Sequence, residues 1–451
     1  MVPCSSALPC WQSWAISLGV LPRDAAWPHP SSNHHLIMNF QFFTTFSLIV
    51  ITASLCAEPL SLDALAAQAV AKNPEISYFE AEIAAAKGGR KTAGQIANPE
   101  VSAQGGGKRV KDLGGAGLGN GAAWSVSVSQ TFEWPGRQAL RKAEADRQIE
   151  LAELGLDEFK TALSAKVRSL GFTVSAAQEK EAAARAAAKR FQDVLSVLVQ
   201  RDDTGPTPLL ESRILEANVL SLTRRASEAA QELQKARVEL NQLIGQPLDN
   251  AVEISTPKVA LPPAPGEGAL LSSAWKQNFA VRRRVVELNQ QGFAVRLTEN
   301  ERMPSVTVAP YVAGEKANDK QTEIGLSLSI PLPLWNRNEG NIETAKARQQ
   351  QAEAALGMTR RELEREVATR SAAYRKLLEE ISAWQPDTVS KFREAAELAD
   401  RHYRLGAVPV VTYMEMQRSY LDALDAMFRA QADAFENRQQ LELLTGKAFA
   451  K

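Results

Sequence analysis

The sequence predicts a mainly α fold with a small β part, built as a duplicated helix–strand–strand–helix–helix unit. Three observations carry that expectation. Residues 326–356, "LSLSIPLPLWNRNEGNIETAKARQQQAEAAL", turn from a strand pattern into a helix pattern with almost no loop between them. Long tracts are dominated by Ala, Glu, Gln, Arg and Leu, which favours extended helices over a thick core. An offset of 201 residues also lays the second half over the first without a gap: Phe191 on Phe392, Gly205 on Gly406, Pro208 on Pro409, Leu243 on Leu444 and Gly245 on Gly446. Near offset 200, "WSVSVSQTF" from Trp124 lies over "IGLSLSIPL" from Ile324, and upstream "NPEVS" from Asn98 matches "MPSVT" from Met303. The period is far longer than that of a solenoid repeat, so this is a duplicated domain.

The first 57 residues stand apart. The run from Phe40 to Leu55 is apolar, too short for a comfortable membrane span, and ends near Ala57. It reads as a secretory signal peptide, with Met38 as the expected start and residues 1–37 as an over-extended reading frame. A lipoprotein would need Cys56 as the acylated residue, and the bulky Leu55 before it argues against that. The expected organisation is therefore 1–57 extension and signal peptide, 58–246 first repeat, 247–268 Pro-rich linker, and 269–451 second repeat. All three cysteines, Cys4, Cys10 and Cys56, lie in the first part. A cysteine-free body suits an oxidising compartment and excludes a disulfide framework or thiolate metal site there. Formal net charge is zero, which leaves no electrostatic footprint for nucleic acid.

In the first repeat the pattern predicts helices over about 61–97, 138–200 and 208–245, with strands near 99–106 and 123–133. In the second it predicts helices over about 269–302, 338–404 and 409–446, with strands near 304–312 and 322–332. Phe191, Val194, Leu195, Leu198 and Val199 form one helical stripe. At 1.5 Å per residue the 138–200 helix is roughly 90 Å long and needs coiled-coil partners. Pro386 is expected to kink or break its counterpart. The run "AAARAAAKR" from Ala182 fits either close helix approach or simple helix propensity on an exposed face.

Strand 123–133 puts Trp124, Val126, Val128 and Phe132 on one face, with Ser125, Ser127, Ser129 and Thr131 mostly opposite. Strand 324–330 repeats this with Ile324, Leu326, Leu328 and Ile330 against Gly325, Ser327 and Ser329. Two readings fit: the lipid-facing and lumen-facing sides of a membrane β-barrel, or a half-buried strand of a soluble sheet. The hairpin loops, about 17 residues over 105–121 and a shorter one over 313–321, share one end. Trp134 and Trp335 share the other, where each strand becomes a helix, and with Trp124 they suit a membrane-interface belt. Apart from the run ending at Leu55, no stretch is long and apolar enough for a transmembrane helix, so a membrane protein of this sequence inserts strands. Four strands cannot close a barrel; three copies supply twelve.

At this point the chain resembles the TolC-type outer-membrane efflux protein family over nearly all of the mature sequence, on "SIPLPLWNRNEGNIETAKA" from Ser329, "SQTFEWPGRQALRKAEA" from Ser129, Asn98–Pro99, Met303–Pro304 and "YRLGAVPVVTYMEMQRSYLDAL" from Tyr403. Within that family it is most similar to the cobalt–zinc–cadmium resistance branch. The resemblance implies a homotrimeric transmembrane β-barrel of 12 strands, in the outer membrane of a Gram-negative bacterium. A long α-helical barrel continues it into the periplasm, working with a periplasmic adaptor and an inner-membrane resistance–nodulation–division transporter. Heavy-metal cations are the expected cargo. Multidrug efflux and type I secretion are the alternatives within transport, and a soluble periplasmic coiled-coil scaffold is the alternative outside it.

Two tight turns are expected to join antiparallel helices, at Thr204–Gly205–Pro206 and Leu405–Gly406–Ala407, using Gly for the left-handed helix end. The resemblance implies that these tips dock the adaptor. The expected contacts are Arg404, Leu405, Gly406, Ala407 and Val408 in one half and Arg201, Asp202, Asp203, Thr204 and Gly205 in the other. Asp202 and Asp203 also suit a cation-favouring ring at a pore constriction, or simply a solvated helix end. Met414 and Met416 are two apart on a helix and point apart, which disfavours a metal site. His402 reads as structural or solvent-facing. No cofactor fingerprint, nucleophile elbow or HExxH is present, so no enzyme is expected.

Overall fold

The computed structural model describes residues 61–199, 206–250, 252, 254, 261–317, 319–384 and 387–449, all within one compact unit. The expected signal peptide, Met38 and Cys56 lie outside the described residues, as do Arg201, Asp202, Asp203, Thr204 and Gly205. Among the described residues the first half contributes α1 (Leu62–Lys72), α2 (Glu75–Ala93), β1 (Glu100–Lys111), β2 (Gly117–Phe132), α3 (Arg137–Val199) and α4 (Pro206–Leu243). The second half repeats the order with α5 (Glu267–Gln277), α6 (Phe279–Glu301), β3 (Val306–Lys316), β4 (Lys320–Ser329), α7 (Glu339–Ala383), α8 (Thr388–Arg404) and α9 (Val410–Thr445).

Two expected helices are each broken. The segment read as one helix over 61–97 stops at Asn73, where the backbone turns extended and Pro74 follows; α2 then ends at Ala93. The segment read as 269–302 stops at Asn278, equally extended, whose side chain caps α6 by accepting the Val281 N–H at 3.2 Å. Asn favours such caps because its carbonyl oxygen substitutes for the missing turn. The 338–404 segment ends as α7 at Ala383, with Trp384 extended as its C-cap, and resumes as α8 at Thr388; Pro386, expected to kink or break it, lies outside the described residues.

The hairpins are a second correction. The stretch 105–121 was expected to be mostly loop, but β1 and β2 pair from Glu100↔Ser129 to Lys111↔Gly117, leaving only 112–116 as the turn. Glycine costs strand stability but leaves ladder hydrogen bonding intact, so the Gly run extends the ribbon instead of ending it. Similarly β3 runs on to Lys316 and β4 starts at Lys320.

The four strands form one antiparallel sheet in the order β1-β2-β3-β4. Beneath it α2 packs on α3, α3 on α6 and α6 on α7. Each helix continues a strand: α2 leads into β1, β2 into α3, α6 into β3, and β4 into α7. The helical layer therefore keeps the order of the sheet. The junctions are rigid. Arg137, at the start of α3, donates to the carbonyls of Met303 at 2.7 Å and Asn300 at 3.1 Å, and Asn300 returns a bond to the Pro135 carbonyl at 3.1 Å. On the other side Asn338 takes a left-handed conformation (φ 62°) to start α7, and its amide donates to the Thr298 carbonyl at 3.0 Å.

α3 has 63 residues, hence roughly 95 Å of length. It packs on α4 along the lower half, and α8 packs on α9; α3 and α9 join the two hairpins. Apolar burial is distributed along this rod. One cluster ties α1, α3 and α4 together through Leu65, Val167, Val174 and Leu240, with Val252 and Ile254 from the linker. A second ties α5, α7 and α9 through Ala274, Val367, Tyr374 and Leu441. Further down, Phe172 meets Phe435 and Phe191 stacks on Tyr413, 4.6 Å between ring centroids. Of the alanines from Ala182, Ala184, Ala187 and Ala188 are buried at these contacts while Ala182 and Ala186 face outward, so one run serves both roles considered for it.

Candidate channel wall and docking tip

The sheet has two chemically distinct faces. Register puts Val101, Trp124, Val312 and Ile324 on one face: Val101 opposes Val128, Val126 opposes Val312, and Val312 opposes Ile324. Among the described residues no element covers that face. Ile324 is 79 % exposed and Leu326 68 %, and Val101, Val126, Val128 and Phe132 are also exposed. A soluble sheet buries such a face against a helix layer. Here the apolar residues point outward from an uncovered sheet, which separates the two readings left open by the alternation.

The opposite face is polar and self-satisfied. Ser102 and Ser127 share a hydrogen bond at 2.8 Å, Thr131 and Thr307 one at 2.9 Å, and Tyr311 donates to Glu323 at 2.6 Å. Lys108 pairs with Glu315 on the same face. These are the side chains of a water-filled wall rather than of a dry core. At the end nearest the helices Trp134 is partly exposed and Trp335 is 94 % exposed; Trp124 lies ten residues before Trp134 and covers Gly314, leaving no room for a Cβ there.

The helical layer continues the wall. Ala86, Gly89 and Arg90 of α2 share one hollow with Glu144 and Gln148 of α3 and Gln290 of α6. Lower down, α4, α3 and α9 line another hollow, in which Lys180 bridges Asp425 at 2.9 Å and Glu232 at 3.5 Å. In each case helices on both sides of α3 reach the same space. Burial, and then the Glu301 carboxylate, push Glu144 above the usual carboxylate range.

At the lower end, the turn from α8 to α9 is built on Gly406, whose φ of 72° is readily available only to glycine. Its N–H bonds the Tyr403 carbonyl at 2.9 Å and Ala407 N–H bonds the His402 carbonyl at 2.8 Å, closing the helix end. Leu405 projects from the turn, 80 % exposed, and Arg404, Gly406 and Ala407 are exposed beside it, with Val408 partly so. Arg404 donates to Asp400 at 3.0 Å, a bond that holds the guanidinium above its ordinary range. Behind the tip Tyr413 is fully buried between Phe191 and Tyr403, and burial, with Asp400 close by, pushes its phenol far above the usual value. Met414 and Met416 pack against the same apolar cluster, and His402 is exposed. No group of three or more potential metal-ligating side chains occurs among the described residues.

Sequence reasoning did not anticipate the paired Asn73 and Asn278 joints or the Lys180 bridge. The first had a signal in "KNPEIS" and "QNFAVR", where Asn recurs at a helix break; the second had none, because its partners lie far apart in sequence.

The profile described as outer membrane efflux protein matches residues 65–246 and 270–447. The chain is 27 % identical over 306 residues to the cobalt-zinc-cadmium resistance protein CzcC of Cupriavidus metallidurans, covering 67 % of this chain and 70 % of that one. It is 23 % identical over 388 residues to the pyoverdine export outer membrane protein OpmQ of Pseudomonas aeruginosa, covering 81 % and 80 %. Among solved structures, a membrane protein from Pseudomonas aeruginosa superposes with a TM-score of 0.70 at 19 % identity over 86 % of this chain and 90 % of that one. The outer membrane protein VceC of Vibrio cholerae superposes at 0.64 with 18 % identity over 86 % and 97 %. These last two likenesses carry the fold.

Proposed function

The chain belongs to the outer membrane efflux protein family, and from that premise we propose a homotrimeric duct that carries heavy-metal cations out of the periplasm. It is an efflux channel of the Gram-negative outer membrane with a periplasmic extension. The observation that carries the rest is the matched order of its two layers. β1-β2-β3-β4 stand above α2-α3-α6-α7, and β1 and β4 are both unpaired edges. Unpaired ladder edges do not persist in lipid, so the sheet must close on further copies. Twelve strands from three chains form a barrel wide enough for a water-filled lumen. The same repetition closes the helices into a tube beneath it.

Trp124 and Trp134 bracket the apolar band. Ten residues at about 3.3 Å, tilted by about 40°, span roughly 25 Å of membrane height, which is the thickness such a band requires. The exposed tip at Arg404, Leu405, Gly406, Ala407 and Val408 is the surface offered to a periplasmic adaptor, with Thr204 and Gly205 as its counterpart and Asp202 and Asp203 as a cation-favouring constriction. A proton-driven inner-membrane transporter of the resistance–nodulation–division class supplies the energy. Cargo selection rests with that pump; the metal assignment draws on the likeness to CzcC and to the nickel-cobalt-cadmium resistance protein NccC of Alcaligenes xylosoxydans xylosoxydans, 24 % identical over 329 residues.

Deleting the gene and measuring sensitivity to zinc, cobalt, cadmium, copper and a panel of organic compounds tests the cargo. Metal hypersensitivity is expected. Hypersensitivity to organic compounds alone would move the reading to multidrug export. Purified protein that stays monomeric and conducts no ions in planar bilayers would remove the duct itself.

A further inference from the structure

We propose that the outward face of the barrel rim binds the phosphate groups of outer-leaflet lipid, through a girdle of Arg109, Lys316 and Lys320. The proposal rests on the outer-membrane barrel described above. It comes from how charge is sorted between the two faces of the sheet beyond Trp124, toward the hairpin turns.

Register fixes the sorting. Gly105, Trp124 and Gly314 share one rung on the lipid-facing side. Counting by twos from that rung, the same face carries Arg109 on β1, Lys316 on β3, and Lys320, paired directly with Lys316, on β4. Arg109 confirms its side by donating to Asn120 at 3.2 Å, its cross-strand partner. All three cations are exposed. The two strand carboxylates of this region, Glu315 and Glu323, point the other way and are held by Lys108 and Tyr311 on the lumenal face. The outward face beyond Trp124 thus carries the three positive charges of Arg109, Lys316 and Lys320 and no carboxylate placed there by register.

The local acids are not paired with them. None of the three makes an ion pair among the described residues. The turn carboxylate Asp319 accepts from the Gln321 amide at 3.1 Å, and Asp112 accepts the Ala116 N–H at 2.7 Å. Lys316 and Lys320 stand directly opposite, where like charges repel and destabilise a hairpin. A facing pair of lysines at a membrane surface is relieved by an anion shared between them.

Depth identifies the anion. At about 3.3 Å per residue, Lys316 and Lys320 lie roughly 7 Å beyond the Trp124 rung along the strand and Arg109 roughly 13 Å. Interface tryptophans sit at headgroup level, so these cations reach the layer just outside the apolar core. The face they occupy looks at lipid, not at the lumen, which selects a lipid-borne phosphate over a free one. The opposite rim, with Ile330, Leu332, Leu334 and Trp335 exposed, offers no such girdle in its strands. The asymmetry matches a membrane whose outer leaflet is the phosphate-rich one.

The test uses the purified full chain in zwitterionic detergent and follows the fluorescence of Trp124, two rungs from Lys316, as diphosphoryl lipid A, phosphatidylcholine or inorganic phosphate is added. The wild-type protein is expected to bind lipid A at least tenfold more tightly than phosphatidylcholine. A surface cation contributes about a fivefold factor toward anionic lipid. The triple variant Arg109→Gln, Lys316→Gln, Lys320→Gln is therefore expected to lose about a hundredfold. Lys108→Gln, on the lumenal face, is expected to change affinity less than twofold. Lipid A affinity that survives the triple substitution, an equal loss in Lys108→Gln, or displacement of lipid A by inorganic phosphate at matched phosphate concentration overturns the proposal. Bilayer conductance separates the two readings. Conducting protein with any of those results sinks the girdle alone, whereas wild-type protein that does not conduct sinks the barrel and the girdle together.

Discussion

The side-chain amide of Asn278 donates to the main-chain carbonyl of Leu444 across 3.1 Å, stitching the break between α5 and α6 to the top of α9. The first half does the same: Asn73, between α1 and α2, donates to the Leu243 carbonyl at 3.2 Å. Both asparagines are 7 % exposed, and both use the remaining oxygen to cap the next helix, Asn73 on Glu75 N–H at 2.8 Å and Asn278 on Val281 N–H at 3.2 Å. The duplication therefore extends to a single side-chain bond, at the level where the two-hairpin trunk meets the four-helix wall.

Replacing either asparagine by alanine leaves a carbonyl near the end of α4 or α9 without its partner and removes a helix cap. Burying an unmet acceptor costs about 1–3 kcal/mol and losing a cap about 1 kcal/mol. Asn73→Ala and Asn278→Ala should each lower stability by about 2–3 kcal/mol in chemical denaturation, and the double variant should add, since the joints share no contacts. Two wild-type-like melts would show that the bonds are incidental.

The glycines that close α4 and α9 are predicted to differ in tolerance. Gly245 and Gly446 have φ of 66° and 65°, so alanine at either is strained by about 1–2 kcal/mol. A Cβ on Gly446 would also come within 2.5 Å of the Gln277 Cβ, against 3.0 Å from the Lys72 carbonyl oxygen at Gly245. Gly446→Ala should thus be the more damaging by thermal melting, and the reverse order would contradict the packing described at the joint.

These joints show what the sequence made legible. The duplication, the strand faces and the rod-like α3 follow from periodicity, because patterns of 2 and 3.6 residues over long segments leave few alternatives. The breaks at Asn73 and Asn278 did not stand out, because Asn inside a helical pattern is only mildly unfavourable and the deciding partner, the carbonyl of Leu243 or Leu444, is far away in sequence. The Gly-rich β1–β2 ribbon misled in the opposite direction: glycine normally signals a loop, and only cross-strand register reveals that it is paired. At the tip, Gly406 was legible from its neighbours, whereas the Phe191–Tyr413–Tyr403 stack required three helices to meet.

That stack yields a contrast of sign. The Tyr413 hydroxyl is buried without a hydrogen bond of good geometry, although the ring is held between two others. Removing an unmet polar atom relieves a burial cost, while removing the ring leaves a cavity. Tyr413→Phe should be neutral or slightly stabilising and Tyr413→Ala should cost about 3–5 kcal/mol. A Phe variant as damaged as the Ala variant would mean that the hydroxyl has a partner in the assembled protein.

Alkaline pH probes the upper core through Tyr374, whose hydroxyl donates to the Pro262 carbonyl at 2.7 Å. Burial pushes its phenol up from the usual 10.0 to about 12. The folded chain therefore holds a proton that the unfolded chain releases above pH 10, so this contribution is intact below pH 10 and declines as pH rises to about 12. Denaturant midpoints taken across that window should fall, and the fall should be shallower in Tyr374→Phe. Equal slopes would place the titration elsewhere.

Adjacent residues of β4 should respond oppositely to the same substitution. Leu326 opposes Pro310 on the apolar face and Ser327 opposes Ala309 on the polar one. The side chain at 326 enters lipid near the middle of the band, where an arginine costs about 2–4 kcal/mol, whereas the side chain at 327 enters water in the lumen. Leu326→Arg should reduce the amount of heat-resistant oligomer recovered from outer membranes. Ser327→Arg should insert normally but add three positive charges to the bore of a trimer and lower its cation preference, read as a shift in reversal potential in planar bilayers. Because successive side chains of a strand alternate, any inversion of register exchanges the two outcomes. Normal recovery of Leu326→Arg together with loss of Ser327→Arg would turn the barrel inside out, and equal tolerance of both would return the sheet to water.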